Sequence, residues 1–292
     1  MNSFLPKIVG ATLNSIGVFN SKLASRLALQ VFSKPRKGKL TTNAHSFLDT
    51  ATKSTLYFAD FNIQIYQWKG PKETILLVHG WESNSSRWRN EIEKLQKEGY
   101  DIIALDAPAH GGSGSDSFNA VLYSEFINVV SQKFKPTVFL GHSVGAMSII
   151  FFLNKKTYSD ANKIVLLGAP STFTGIIGRY KKMMGFSKKI DNGIDRYIEL
   201  TFGHPPSYYS TANLIKNIDS SGLIFHDKRD SIIPYEDALE IDLQFKNATL
   251  ISTKGLGHSL KGNYVSDEII KFLSHFLVLL LKMRIFLMKK MI

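Results

Sequence analysis

The chain of 292 residues contains no cysteine. Disulfides, thiolate metal sites and a cysteine nucleophile are therefore excluded, and the absence fits a reducing, cytoplasmic compartment. Long apolar runs are missing too. Neither end offers the ~18 uninterrupted apolar residues of a membrane-spanning helix. The N-terminus also lacks the compact apolar core and small-residue cleavage site of a signal peptide. Acidic residues are absent from two segments. Residues 1–40 hold seven bases (Lys7, Lys22, Arg26, Lys34, Arg36, Lys37 and Lys39) and no acid, and residues 275–292 hold four bases and no acid. The formal net charge of +12 belongs almost wholly to these ends, because 25 bases and 24 acids share the rest. A nucleic-acid partner would want a basic stripe on the folded body, and none is expected.

Both basic ends are apolar as well. Wound as a helix, residues 5–31 put Leu5, Ile8, Val9, Leu13, Ile16, Phe19, Leu23 and Leu27 on one broad face. Residues 1–40 are read as a basic amphipathic helix and linker, and 276–292 as a basic apolar tail. Such ends either dock on the rest of the chain or a partner, or make peripheral contact with an anionic membrane surface.

Between the ends, two short alternating runs around Asp60-Phe61-Asn62 predict a hairpin. Then Thr74–Val78, Asp101–Leu105, Thr137–Leu140, Lys163–Leu167 and Leu223–Phe225 form continuous apolar runs of the buried parallel type. Helical stretches alternate with them, and Thr249–Ser252 reads as a last strand. This is an α/β pattern: a mostly parallel open sheet with helices on both faces. One interval is too long for a single crossover helix. It is rich in Phe, Tyr, Met and Gly, as a helical cap over the site would be, or as an insertion whose aromatics glue it to the core.

Chemistry concentrates at the predicted strand ends. Gly141-His142-Ser143-Val144-Gly145 follows one apolar run and precedes helix-compatible residues, the pattern of a strand–turn–helix that lifts a serine above the sheet. A serine nucleophile needs a base, an orienting carboxylate and oxyanion donors. His258, in the Gly-flanked loop Lys254-Gly255-Leu256-Gly257-His258, is the candidate base. In Asp227-Lys228-Arg229-Asp230-Ser231-Ile232-Ile233-Pro234 two carboxylates compete. Asp227 reads as a turn or ion-pair residue, and Asp230, further along the loop, is preferred. His79-Gly80-Trp81 follows the first parallel run, where glycine permits close backbone approach, so the N–H groups of Trp81 and Val144 are the candidate oxyanion donors. Asp106 and His110 are read as braces of the loop 106–114. Five bases between Arg179 and Lys189 read as a solvated helix face rather than a subsite for an anionic head group.

HGW at 79–81, DAPAHGGSG at 106–114, GHSVG at 141–145, DKRDSIIP at 227–234 and GLGH at 255–258 occur in an order that resembles the α/β-hydrolase superfamily, serine esterase/lipase-like. The resemblance covers about 55–275, within a domain expected over 41–275. It implies Ser143 as nucleophile, Asp230 as acid, His258 as base and Trp81 and Val144 as backbone donors, with no cofactor and no metal. Ala109 stands where the superfamily usually has glycine. It also implies that 171–212 is the cap, and the implied activity is cleavage of a carboxylic ester or thioester through an acyl-enzyme; the aromatic, Met-rich cap suggests an apolar acyl group. An acyltransferase, a C–C hydrolase, or a binding protein that keeps the fold without turnover are the alternatives.

Overall fold

The computed structural model describes residues 4–155 and 158–274. The basic tail expected over 276–292 lies outside the described residues.

The hairpin forms as expected. β1 (Thr52–Phe58) and β2 (Phe61–Trp68) pair antiparallel through a two-residue turn whose Ala59 sits at φ +48°. β2 then pairs antiparallel with β4 (Asp101–Leu105). The remaining pairings are parallel, among β3 (Thr74–Val78), β4, β5 (Val138–His142), β6 (Lys163–Leu167), β7 (Ser221–Asp227) and β8 (Ala248–Thr253). The described residues form one eight-stranded sheet in the order β1-β2-β4-β3-β5-β6-β7-β8. Every residue of β4, β5 and β6 is buried. That is why these strands read as unbroken apolar runs rather than alternating ones.

Helices cover both faces. On one, α5 (Ala120–Phe134), α6 (Val144–Lys155), α9 (Thr211–Ile215) and α10 (Tyr235–Gln244) bury Phe126, Ile149, Ile215 and Ile241 against the strands. On the other, α3 (Thr42–Leu48), α4 (Arg89–Lys97) and a helix over 263–274 bury Leu48, Ile92, Ile269 and Leu273. From β3 the chain crosses to β4 on one side and later to β5 on the other. The crevice at the carboxyl ends of β3 and β5 is therefore a topological switch point, where open α/β sheets bind ligands.

The N-terminal segment differs from the single helix expected over 5–31. It forms two helices, α1 (Phe4–Phe19) and α2 (Ser21–Ser33), broken at Asn20. Asn20 takes an extended conformation and its side chain accepts the Leu23 N–H, so it ends one helix by capping the next. The break lets both helices reach one target, the insertion formed by α7 (Phe173–Met184) and α8 (Lys188–Phe202). Leu13, Ala24 and Ala28 share a core with Ile177, Tyr180, Met184, Ile190, Ile194 and Ile198. Close approach depends on glycine: a Cβ on Gly10 would overlap the Met184 carbonyl oxygen. Asn14 locks the junction, donating to the Gly185 carbonyl at 2.9 Å and accepting the Ser187 N–H at 2.8 Å. The core of the insertion is thus completed by helices from the chain's start.

The linker that follows is a strap across the loops at the strand ends. The Arg36 N–H donates to Glu82 Oε1 at 3.0 Å, and the Gly38 carbonyl accepts the Gly111 N–H at 2.9 Å. Among the described residues no helix is long and apolar enough to cross a membrane.

Candidate active site

Ser143 sits between β5 and α6 at φ +53°, the left-handed region that a non-glycine residue enters at a cost of roughly 1–2 kcal/mol. The two glycines of the motif make that turn possible. A Cβ on Gly145 would overlap the carbonyl oxygens of Val78 and His79, and one on Gly141 would press on the Ala146 backbone. Ser143 is only 5% exposed, and its N–H is held by the Leu167 carbonyl at 2.8 Å.

Three side chains far apart in sequence meet here. The Ser143 hydroxyl lies 3.0 Å from His258 Nε2, and His258 Nδ1 lies 2.7 Å from Asp230 Oδ2. An ionised carboxylate only accepts, so Nδ1 carries the proton and Nε2 is left as acceptor for the hydroxyl. The Asp230 side chain is fully buried, and its other oxygen accepts the N–H groups of Ile232 and Ile233 at 2.8 and 3.0 Å. Burial alone would push the Asp230 carboxyl up. The bonds from His258 and from the two backbone amides outweigh it and hold the group below its usual value.

Asp227 has other partners. Its oxygens accept the Arg229 N–H at 2.8 Å, the Thr253 hydroxyl at 2.7 Å and the Leu256 N–H at 2.8 Å. It ties the end of β7 to the loop that carries His258. Burial opposes the charge on Asp227, but these hydrogen bonds prevail and lower its pKa. A carboxylate lowered in this way contributes stability above its unfolded value of about 3.9, which is lost as pH falls through the folded value. Asp227→Asn is therefore expected to flatten the loss of melting temperature below about pH 4, read by circular dichroism across the acid range. Superimposable acid limbs would contradict it.

The backbone donors are placed by loop chemistry. A Cβ on Gly80 would lie 3.0 Å from the Ser143 Cβ, so only glycine lets this turn back against the serine. His79 Nδ1 donates to the Gly80 carbonyl at 2.8 Å, while Nε2 accepts the Ala107 N–H at 2.9 Å. Burial pushes the His79 pKa down to about 3, so the ring stays neutral in this tautomer. Because the peptide is planar and trans, fixing the Gly80 carbonyl fixes the Trp81 N–H in the opposite direction. Val144 is the first residue of α6, where an N–H has no acceptor in a preceding turn.

Asp106 and His110 take the bracing places expected of them. Asp106 accepts the Ser85 hydroxyl and N–H, the Tyr66 hydroxyl and the Gly112 N–H, all at 2.7–3.0 Å. His110 Nε2 accepts the Glu82 N–H at 3.0 Å. Ala109 adopts φ +65°, which explains why glycine is usual there.

Sequence reasoning gave His142 no role. It is buried and neutral, with burial holding its pKa well below the usual range, and its Nε2 donates to the His258 carbonyl at 2.8 Å. The two imidazoles lie tilted at 50° to each other with centroids 4.9 Å apart. His226 is also buried; its Nε2 donates to the Ile233 carbonyl at 2.9 Å beside Asp230. Both hold the loops that carry the base and the acid. Nothing in their spacing announced this, since His142 is simply the last residue of β5 and His226 lies one residue inside the end of β7.

The insertion meets this region through α6, whose Met147 and Phe151 join the core shared by α1, α2, α7 and α8. Of the five bases between Arg179 and Lys189, three are engaged: Arg179 with Asp237 at 3.8 Å, Lys181 with Asp195 at 2.7 Å, and Lys189 with the Val18 carbonyl at 3.4 Å.

Comparisons with known proteins agree with this architecture. The profile of the Alpha/beta hydrolase family matches residues 75–215. A putative non-heme chloroperoxidase of Synechocystis is 25% identical over 152 residues, which span 50% of this chain and 52% of that protein. The non-heme chloroperoxidase of Streptomyces lividans is 22% identical over 249 residues, covering 68% of this chain and 90% of that one. In fold, the chain resembles an esterase from Exiguobacterium antarcticum with a TM-score of 0.56 and 19% identity, over 78% of this chain and 98% of that one. Sheet order and the strained serine turn give this chain the α/β-hydrolase fold, and its residues 75–215 match the Alpha/beta hydrolase family.

Proposed function

We propose that the protein is a serine hydrolase that cleaves a carboxylic ester or thioester through an acyl-enzyme on Ser143. The observation that carries this reading is the continuous hydrogen-bonded relay from the Ser143 hydroxyl through His258 to the buried Asp230. In this reading His258 Nε2 takes the hydroxyl proton as Ser143 Oγ attacks the substrate carbonyl carbon. The oxyanion that forms is held by the Trp81 and Val144 N–H groups. His258 then gives its proton to the leaving alkoxide or thiolate as the carbonyl re-forms. Water repeats the sequence on the acyl-enzyme and releases the acid.

The apolar cap first suggested an apolar acyl group, but many of its apolar side chains pack against α1 and α2. Substrate choice therefore rests on the acyl-chain-length profile, measured with esters and thioesters side by side.

The activated nucleophile itself is tested with a fluorophosphonate probe. Stoichiometric labelling is expected in the wild type, at Ser143 by peptide mapping, and none in Ser143→Ala. An unlabelled wild type would favour a binding protein that has the fold without turnover.

A further inference from the structure

Docking on the cap uses only one side of the N-terminal hairpin. Among the described residues, six of the fifteen large apolar side chains that stand exposed belong to α1 and α2. They are Leu5 (61% exposed), Ile8, Val18 (69%), Phe19 (92%), Leu23 and Val31. Along α1 the outward stripe continues through Thr12 and Ser15. Their hydroxyls donate to the carbonyls of Ile8 and Ala11 at 3.0 and 3.2 Å, so the helix itself satisfies them. Beside the stripe stand the exposed Lys7, Lys22 and Arg26, and the strap adds Lys34, Arg36, Lys37 and Lys39. Only Arg36 has an ion-pair partner among the described residues, Glu82 at 3.5 Å.

We propose that the outward face of α1 and α2 docks on an anionic lipid bilayer, with Leu5, Ile8, Val18 and Phe19 seated at the acyl boundary and the unpaired cations meeting the head groups. The charge pattern selects this occupant. A second copy of the chain docking through the same patch would bring two acid-free cationic segments together, and the basic tail 276–292 has the same sign. An amphipathic surface with apolar anchors flanked by Lys and Arg, and with no acid, is the chemistry that lies in a negatively charged interface. This does not depend on what Ser143 does. The docking face is joined by residues 34–38 to the turn carrying Trp81, so a bound bilayer and the candidate site share one connected element.

Removing residues 1–40 would take Leu13, Ala24 and Ala28 out of the core they share with α7 and α8, so the test uses exposed positions in the full chain. Co-sedimentation is measured with phosphatidylcholine vesicles, with and without phosphatidylglycerol. Binding is expected to be at least about tenfold tighter on the anionic vesicles and to weaken in high salt. Val18→Ser/Phe19→Ser and Lys22→Gln/Arg26→Gln are each expected to weaken it about tenfold or more, with melting temperature and soluble-ester hydrolysis unchanged. Wild-type chain that ignores both vesicles overturns the proposal. So do variants that bind as tightly as wild type, or a dimer lost in Val18→Ser/Phe19→Ser without vesicle binding. A chain that binds vesicles but hydrolyses no soluble ester counts against the hydrolase reading alone.

Discussion

Ser143→Ala is expected to lower turnover of p-nitrophenyl acyl esters by about 10⁴–10⁶-fold, with little change in KM. In the proposed reading the Ser143 hydroxyl forms the covalent bond with the acyl carbon. Without it, His258 has no proton to take, so the loss resembles removal of the whole relay. What survives is the small acceleration from the backbone donors and from binding. The substitution removes one oxygen from a 5%-exposed position and leaves the strained φ in place, so the melting temperature is expected to move little. A rate within tenfold of wild type would overturn the assignment of Ser143 as nucleophile.

Asp230→Asn carries the second large effect, an expected fall of about 10³–10⁴ in kcat at neutral pH. The size of Asp230 is not the issue. Its carboxylate forces the His258 proton onto Nδ1, and asparagine can present an N–H to that nitrogen instead. The proton then moves to Nε2, which can no longer accept from Ser143. Asp227→Asn is the control, because it is equally buried and only three residues away. Its carboxylate serves Thr253, Arg229 and Leu256, so the expected cost is roughly 1–3 kcal/mol of stability with activity retained within tenfold. If Asp227→Asn abolished turnover and Asp230→Asn did not, the two roles would have to be exchanged.

Much of this site was legible in the sequence because the fold presents it on short, patterned turns. G-x-S-x-G announces itself, since close backbone packing forbids a side chain at Gly141 and Gly145. The Gly-flanked His258 and the His79-Gly80-Trp81 turn were readable for a related reason: each lies in a loop after a run that reads as a strand. The choice between Asp227 and Asp230 was only a preference, because both stand in one polar loop. What separates them is which oxygen faces the imidazole, a matter of loop curvature. His142 and His226 carried no signal, for their work is done through backbone carbonyls of segments 116 and 7 residues away.

The N-terminus shows the same boundary. Its amphipathicity was visible, and so was its lack of acid. The break at Asn20 was not foreseen, because a single capping side chain outweighs a helical periodicity that runs through it.

The sequence by itself determined the α/β alternation, the strand-end placement of the chemistry and the residue types of the relay. Local propensity and apolar periodicity act over a few residues and are written in order. Only the tertiary structure decided which carboxylate faces His258, the histidine supports, and the packing of α1 and α2 against α7 and α8 with a cationic, apolar face left outward. Those outcomes depend on which surfaces meet, and pairing at long range is set by packing and hydrogen-bond geometry rather than by spacing along the chain.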